Sequence, residues 1–208
     1  MPGSGGKATL LTPGNFEVEY VTVSDDGTRI IYNSNQDDID RRHAWTVPVD
    51  GSSKPARVAA GTSSGSEWQP VITSDGAMAM LRAEASVPAH VVVVKNGGAP
   101  KAIHETQFDL PLVSPQQVIF TAADGMQIHA QLFVPRDVKS GEKRPGLIFF
   151  HGGSRRQMLL NWHYLYYYRN AYAMNQWLAS QGYVVLSVNY RSGIGYGLEF
   201  REALKQGA

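Results

Sequence analysis

The chain contains no cysteine. Disulfides and thiolate metal sites are therefore excluded, and the redox compartment stays open. Charge of one sign is also missing: 19 basic against 18 acidic side chains leave a formal net charge of +1. A nucleic-acid partner is not expected, because such binders carry a clear basic excess. No apolar run approaches the roughly 20 residues that span a bilayer. The opening MPGSGGKATLL lacks the basic and long apolar regions of a secretory leader. A soluble chain without a membrane span is expected, with localisation and oligomeric state left open. Six histidines are scattered without the spacing of a metal pair on one helix. His43, His90, His104 and His129 read as strand-face or loop residues, and no metal or cofactor is expected.

What the chain does have is enough apolar material, 43% of 208 residues, for one large domain or two modest ones. From Phe16 to about Ile103 short alternating strands are separated by Gly, Asp, Ser and Pro. FEVEYVTVSDDGTRIIYNSN turns at Asp26-Gly27, and WQPVITSDGAMAMLRAEA repeats the form at Asp75-Gly76. Asp-Gly between alternating strands is the strongest short-range hairpin signal. Each pair is followed by a further strand and turn, near Gly51 and near Gly97. A four-stranded unit recurring at a period of about 50 residues is the mark of propeller blades. Two such units cannot close a ring, so the expectation is the last blades of a larger propeller, with a small sandwich as the alternative.

The rhythm changes after Pro111. QQVIFTAADGMQIHAQLFVP reads as a longer hairpin turning at Asp124-Gly125. GLIFF is a short continuous apolar run, expected to be covered on both faces. NAYAMNQWLASQG reads as a helix with Ala173, Met174, Trp177 and Leu178 on one side and Gly182 as its stop. YVVLSVNY is a second apolar strand, so strand, helix and strand predict a parallel pair with a right-handed crossover. DDIDRR, 37–42, is expected to be a self-paired surface loop.

HGG at 151–153, followed by NYRSGIGYG at 189–197, with a hairpin before and blade-like repeats upstream, resembles the prolyl oligopeptidase family of serine peptidases. The likeness is strongest to its acylaminoacyl-peptidase and dipeptidyl-peptidase branches. It runs strongly from about Val118 to Phe200 and weakly over the blades, where SNQDDIDRRHAW at 34–45 also resembles family segments. The resemblance implies a mixed fold: residues 1–112 as C-terminal blades of a β-propeller, and 113–208 as the N-terminal part of an α/β-hydrolase domain. It implies part of a serine-type peptidase that hydrolyses peptide bonds through an acyl-enzyme. An esterase on the same fold and a non-catalytic propeller scaffold are the alternatives.

In α/β-hydrolases the loop after such a strand supplies an oxyanion-hole N–H. By resemblance the donor is the N–H of Gly153, with Gly152 allowing the turn. His151 stands where some relatives carry a tyrosine whose hydroxyl assists, so its side-chain role is open; HGG read alone is also satisfied by a tight structural loop. Arg155, Arg156, Tyr190, Arg191 and Tyr196 are the substrate-cavity candidates, with a solvated loop as the other reading of the two neighbouring arginines. WHYLYYYRNAY, 162–172, is either a cavity wall or packing between domains. The chain's one G-x-S-x-G match is GTSSG, Gly61 to Gly65, which has no helix after it. The nucleophile elbow needs strand, turn and helix. Serine, histidine and aspartate of a triad are therefore expected outside this chain.

Overall fold

The structure, a computed structural model, describes residues 5–58, 64–73, 76–95, 97–104, 111–153 and 155–203. Ser63 and Asp75 lie outside the described residues. Strands β1 (Val18–Val23), β2 (Arg29–Ser34), β3 (His43–Pro48) and β4 (Ala56–Arg57) form one antiparallel meander in chain order. Its first hairpin closes as its sequence demands. The Asp26 carboxylate accepts from Ser24 Oγ at 2.6 Å and from Thr28 N at 3.0 Å, while Gly27 takes φ +70°. Left-handed φ costs glycine nothing.

β5 (Ser66–Ile72), β6 (Met78–Ala83), β7 (His90–Val94) and β8 (Lys101–Ala102) repeat the meander. Two successive four-stranded antiparallel sheets of this kind are blade-like, as the repeat period predicts. Ile31 and Ala44 of the first sheet share a buried cluster with Met78, Met80, Val92 and Val94 of the second.

The third sheet is built from β9 (Gln116–Thr121), β10 (Gln127–Phe133), β11 (Gly146–Phe150) and β12 (Val184–Val188), in the order β11-β12-β10-β9. β11 and β12 run parallel, and helix α1 (Tyr166–Ser180) connects them. A short helix α2 (Leu198–Arg201) follows. Gly182 ends α1 at φ +90°, with Gly182 N–H donating to Ala179 O and Tyr183 N–H to Leu178 O. That pair of bonds is a Schellman stop. Among the described residues no helix is long and apolar enough to cross a membrane.

Three expectations are corrected. The run GLIFF is not covered on both faces: β11 is the edge strand, and Ile148 and Phe150 are 65% and 59% exposed. An apolar run reports affinity for burial, whereas burial itself depends on neighbouring elements. Helix α1 also turns a different face inward. Tyr168, Ala171, Tyr172, Asn175, Gln176 and Ala179 are buried, while Met174 and Trp177 face out and Ala173 and Leu178 pack at the margin. Gln176 is drawn in because its carboxamide pairs with both backbone groups of Val113, accepting at 2.8 Å and donating at 2.6 Å. Finally, 37–42 is only partly a self-paired surface loop. Asp38 and Arg41 do pair at 3.1 Å, but Asp40 and Arg42 are buried and bind distant partners.

The main core joins these parts. Trp68 and Ala83 of the second meander pack with Trp162, Tyr168, Tyr172, Phe133 and Val185 of the strand–helix–strand unit.

Candidate functional site

Strand β11 delivers the chain into His151-Gly152-Gly153. Two tyrosines grip the carbonyls of this turn. The Tyr190 hydroxyl donates to His151 O at 2.8 Å, and the Tyr168 hydroxyl donates to Gly152 O at 3.0 Å. A trans peptide points its N–H opposite to its C=O. Holding Gly152 O therefore aims the Gly153 N–H away from Tyr168, and holding His151 O does the same for the Gly152 N–H. The latter donates to the Tyr167 hydroxyl at 3.3 Å. Gly153 itself sits at φ +66°, and a Cβ there would lie 3.4 Å from the Tyr168 hydroxyl. The position calls for glycine.

His151 is buried, with its ring stacked on Tyr190 at 4.7 Å. Burial lowers its pKa, only partly offset by the contact with Gly152 O. Its Nε2 has no hydrogen-bond partner among the described residues. A neutral ring in this place packs the loop and carries no fixed charge to it.

The other candidates separate into groups. Arg155 is exposed and pairs with Glu202 at 3.3 Å. Arg156 is exposed beside Gly153, its Cγ 3.8 Å from the position of a Gly153 Cβ. Arg191 turns to the β9–β10 hairpin, meeting Asp124 at 2.5 Å. Tyr196 turns to the blades: its hydroxyl donates to Asp40 Oδ1 at 2.7 Å and accepts from Asn189 Nδ2 at 2.8 Å. The structure thus brings His151, Gly152, Gly153, Arg156 and Tyr190 together and sends Arg191 and Tyr196 elsewhere. The aromatic segment divides as well. Trp162, Tyr168 and Tyr172 are buried in packing, whereas Tyr166 and Tyr167 are 73% and 53% exposed at the loop.

Sequence reasoning missed the polar groups beneath this loop. Asp40 accepts from Tyr196, from His129 Nδ1 at 3.1 Å and from Gln117 Nε2. Burial alone would raise its pKa, but the bonds from His129, Tyr196 and Gln117 hold it below the usual carboxylate range. Gln157 sits between the units: its Oε1 accepts from Arg42 at 2.7 Å and its Nε2 donates to Ile39 O at 2.9 Å. Gly195 passes so close that a Cβ there would collide with this carboxamide. From Gln157 onward the chain is a strap. Met158 N–H donates to Asn189 Oδ1 and Leu160 N–H to Asp40 O. Asn161 Nδ2 donates to Ser66 Oγ and Trp162 N–H to Glu84 O. The spacing of polar residues in the sequence carried no signal of this, since the partners lie up to 156 positions apart.

His163 adds a testable electrostatic consequence. Burial, with the charges of Arg42 and Arg156, lowers its pKa from 6.5 to about 3. A folded pKa below the unfolded one gives stability that is complete above pH 6.5 and lost as pH falls toward 3. Between pH 8 and pH 5 this group is expected to remove about 2 kcal/mol from the folding free energy. Urea midpoints of the wild type and His163→Gln at both pH values test this. The variant's acid loss should be smaller, and equal losses in the two proteins would refute the assignment.

No protein-family model matches the chain. Among curated proteins the chain is 33% identical over 98 residues to dipeptidyl peptidase 8 of Homo sapiens, and equally to that of Mus musculus. It is 34% identical over 102 residues to dipeptidyl aminopeptidase BIII of Pseudoxanthomonas mexicana. The similarity is to dipeptidyl peptidases. It is distant and partial, taking in 46% and 45% of this chain. The matched stretch is only 10% of the length of the mammalian proteins and 13% of the bacterial one.

Proposed function

We propose that this chain is part of a serine-type peptidase of the prolyl oligopeptidase family. Residues 1–112 contribute blades of a β-propeller, and residues 113–208 open an α/β-hydrolase domain. The observation that carries the reading is the turn at 151–153, whose peptide planes are held by Tyr190 and Tyr168 so that the Gly153 N–H is fixed in direction. A fixed donor is what an oxyanion hole requires, since it stabilises developing charge without reorganising. The partial similarity to dipeptidyl peptidases, together with HGG and NYRSGIGYG, supports peptide carbonyls as the groups attacked.

In this reading a serine attacks the carbonyl carbon, a histidine takes the hydroxyl proton and returns it to the leaving amine, and an aspartate orients the histidine. These three groups lie outside the 208 residues. This segment supplies the Gly153 N–H and a wall of the cavity.

A fluorophosphonate, which labels activated serines, tests the assignment. The 208-residue chain is expected to remain unlabelled, including at Ser63. A longer protein that contains this chain and a G-x-S-x-G elbow after it is expected to label at the elbow serine. Stoichiometric adduct at Ser63, located by mass spectrometry, would overturn the proposal.

A further inference from the structure

Between the first meander and the glycine loop lies a cleft of about 370 Å³, lined by Glu19, Arg42, Arg156, His163, Leu165 and Ile194 among others. We propose that this cleft binds a peptide carboxylate, with the Arg156 guanidinium as its counter-ion. The inference rests on the peptidase reading for its choice of a peptide, and on local charge for its choice of a carboxylate.

Glu19 is the one carboxylate among the lining residues, and it is already taken. It meets Arg42 Nε at 2.7 Å. The remaining Arg42 nitrogens are also engaged, Nη2 with Gln157 Oε1 at 2.7 Å and Nη1 with Arg41 O at 3.0 Å. That pair is neutral and locked. Arg156 is different. It is exposed, its Nη1 donates to Arg155 O at 2.8 Å, and no described carboxylate lies within ion-pair distance of it. One positive charge is therefore left over at the mouth of the cleft.

The surroundings preserve that imbalance. His163 Nδ1 accepts from the Leu165 N–H at 2.9 Å, which assigns the ring proton to Nε2 and makes the ring a neutral donor. Leu165 and Ile194 give an apolar flank. A cationic fork beside apolar walls suits a carboxylate on a short hydrocarbon stem, because a guanidinium binds carboxylate oxygens in pairs. The carboxylate is either a peptide C-terminus or an acidic side chain near the scissile bond.

Binding to the 208-residue chain at low ionic strength separates the sources. One probe pair is acetyl-trialanine with a free C-terminus and its C-terminal amide. The other is acetyl-Ala-Glu-Ala-amide and acetyl-Ala-Gln-Ala-amide. In at least one pair the acid is expected to bind about tenfold more tightly than its neutral partner, a gap that narrows with salt. The pair that shows it names the source. Arg156→Gln should abolish the preference, Arg156→Lys should keep part of it, and Arg155→Gln should leave it intact. Arg156 is exposed, so these variants should keep the wild-type thermal midpoint. Equal affinities within both pairs, no binding by any probe, preference for unacetylated peptides, or an Arg156→Gln variant that keeps its preference would each overturn the proposal. None of these readouts needs turnover, so a failed peptidase assignment shows up separately, as absent labelling of the longer protein.

Discussion

Replacing Glu67 with alanine is expected to cost the native state about 3–5 kcal/mol, the usual penalty for breaking a buried ion pair from one side. Glu67 on β5 is fully buried. One oxygen meets Arg82 on β6; the other meets His43 Nδ1 on β3 at 2.9 Å, with Arg57 at 4.0 Å. His43 belongs to the first meander and Arg82 to the second, so this carboxylate joins the two sheets. Burial works against an imidazolium at His43, yet its bonds to Asp38 and Glu67 outweigh that and raise its pKa. A raised pKa contributes stability that is complete below pH 6.5 and is lost as pH climbs through the folded value. Alanine leaves the cations without their central partner. Against a typical total of about 5–15 kcal/mol, that loss would take most of the margin only of a protein at the low end of the range. Glu67→Gln keeps the shape and should lose less. The double variant Glu67→Leu with Arg82→Met should recover much of the loss, since an apolar replacement of a whole pair is often neutral. Urea denaturation of the three variants decides it, and a loss below about 1 kcal/mol in Glu67→Ala would show that the charges are relieved elsewhere.

In a longer protein that carries the triad, exchanging the Gly153 N–H for an ester oxygen is expected to lower kcat by about 10²–10³. The exchange inserts glycolic acid at position 153 and keeps the backbone angles. Proline would also delete the N–H, but it requires φ near −65°, and Gly153 is at +66°. Its effect would mix lost catalysis with a broken turn. KM should change little, because the proposed role of the donor is toward charge that develops only in the transition state. Tyr168→Phe should give a smaller fall in kcat by releasing the 152–153 peptide plane. Unchanged turnover in the folded ester protein would remove Gly153 from the site.

Local signals were legible in the sequence wherever the chemistry is local. Asp26-Gly27 closes a hairpin through its own neighbours, and Gly182 stops α1 through bonds to the preceding turn. The parallel pair was legible too, because two apolar runs flanking a helical stretch have one common solution. What could not be read was set at a distance. Ile148 and Phe150 look like core and are exposed, since no described element covers the face of β11 on which they lie. Asn175 and Gln176 look like surface and are buried, Gln176 because Val113 needs a partner 63 positions away. Of the site, the glycines were visible as a motif and Tyr190 as a cavity candidate, but the hold of Tyr190 and Tyr168 on the carbonyls of the turn was not. Tyr168 and Tyr190 matter through the carbonyls they hold, and neither the aromatic-rich segment nor NYRSGIGYG announces which hydroxyl reaches which oxygen.

The strap from Gln157 to Trp162 has a mechanical meaning. It leaves the glycine turn within a few residues and is then tied by Asp40 to the first meander, by Ser66 and Glu84 to the second, and by Asn189 to the mixed sheet. A segment anchored to three bodies acts as a tie rod. Sliding one meander against the other therefore has to break or carry along the bonds of this segment, from Gln157 to Trp162.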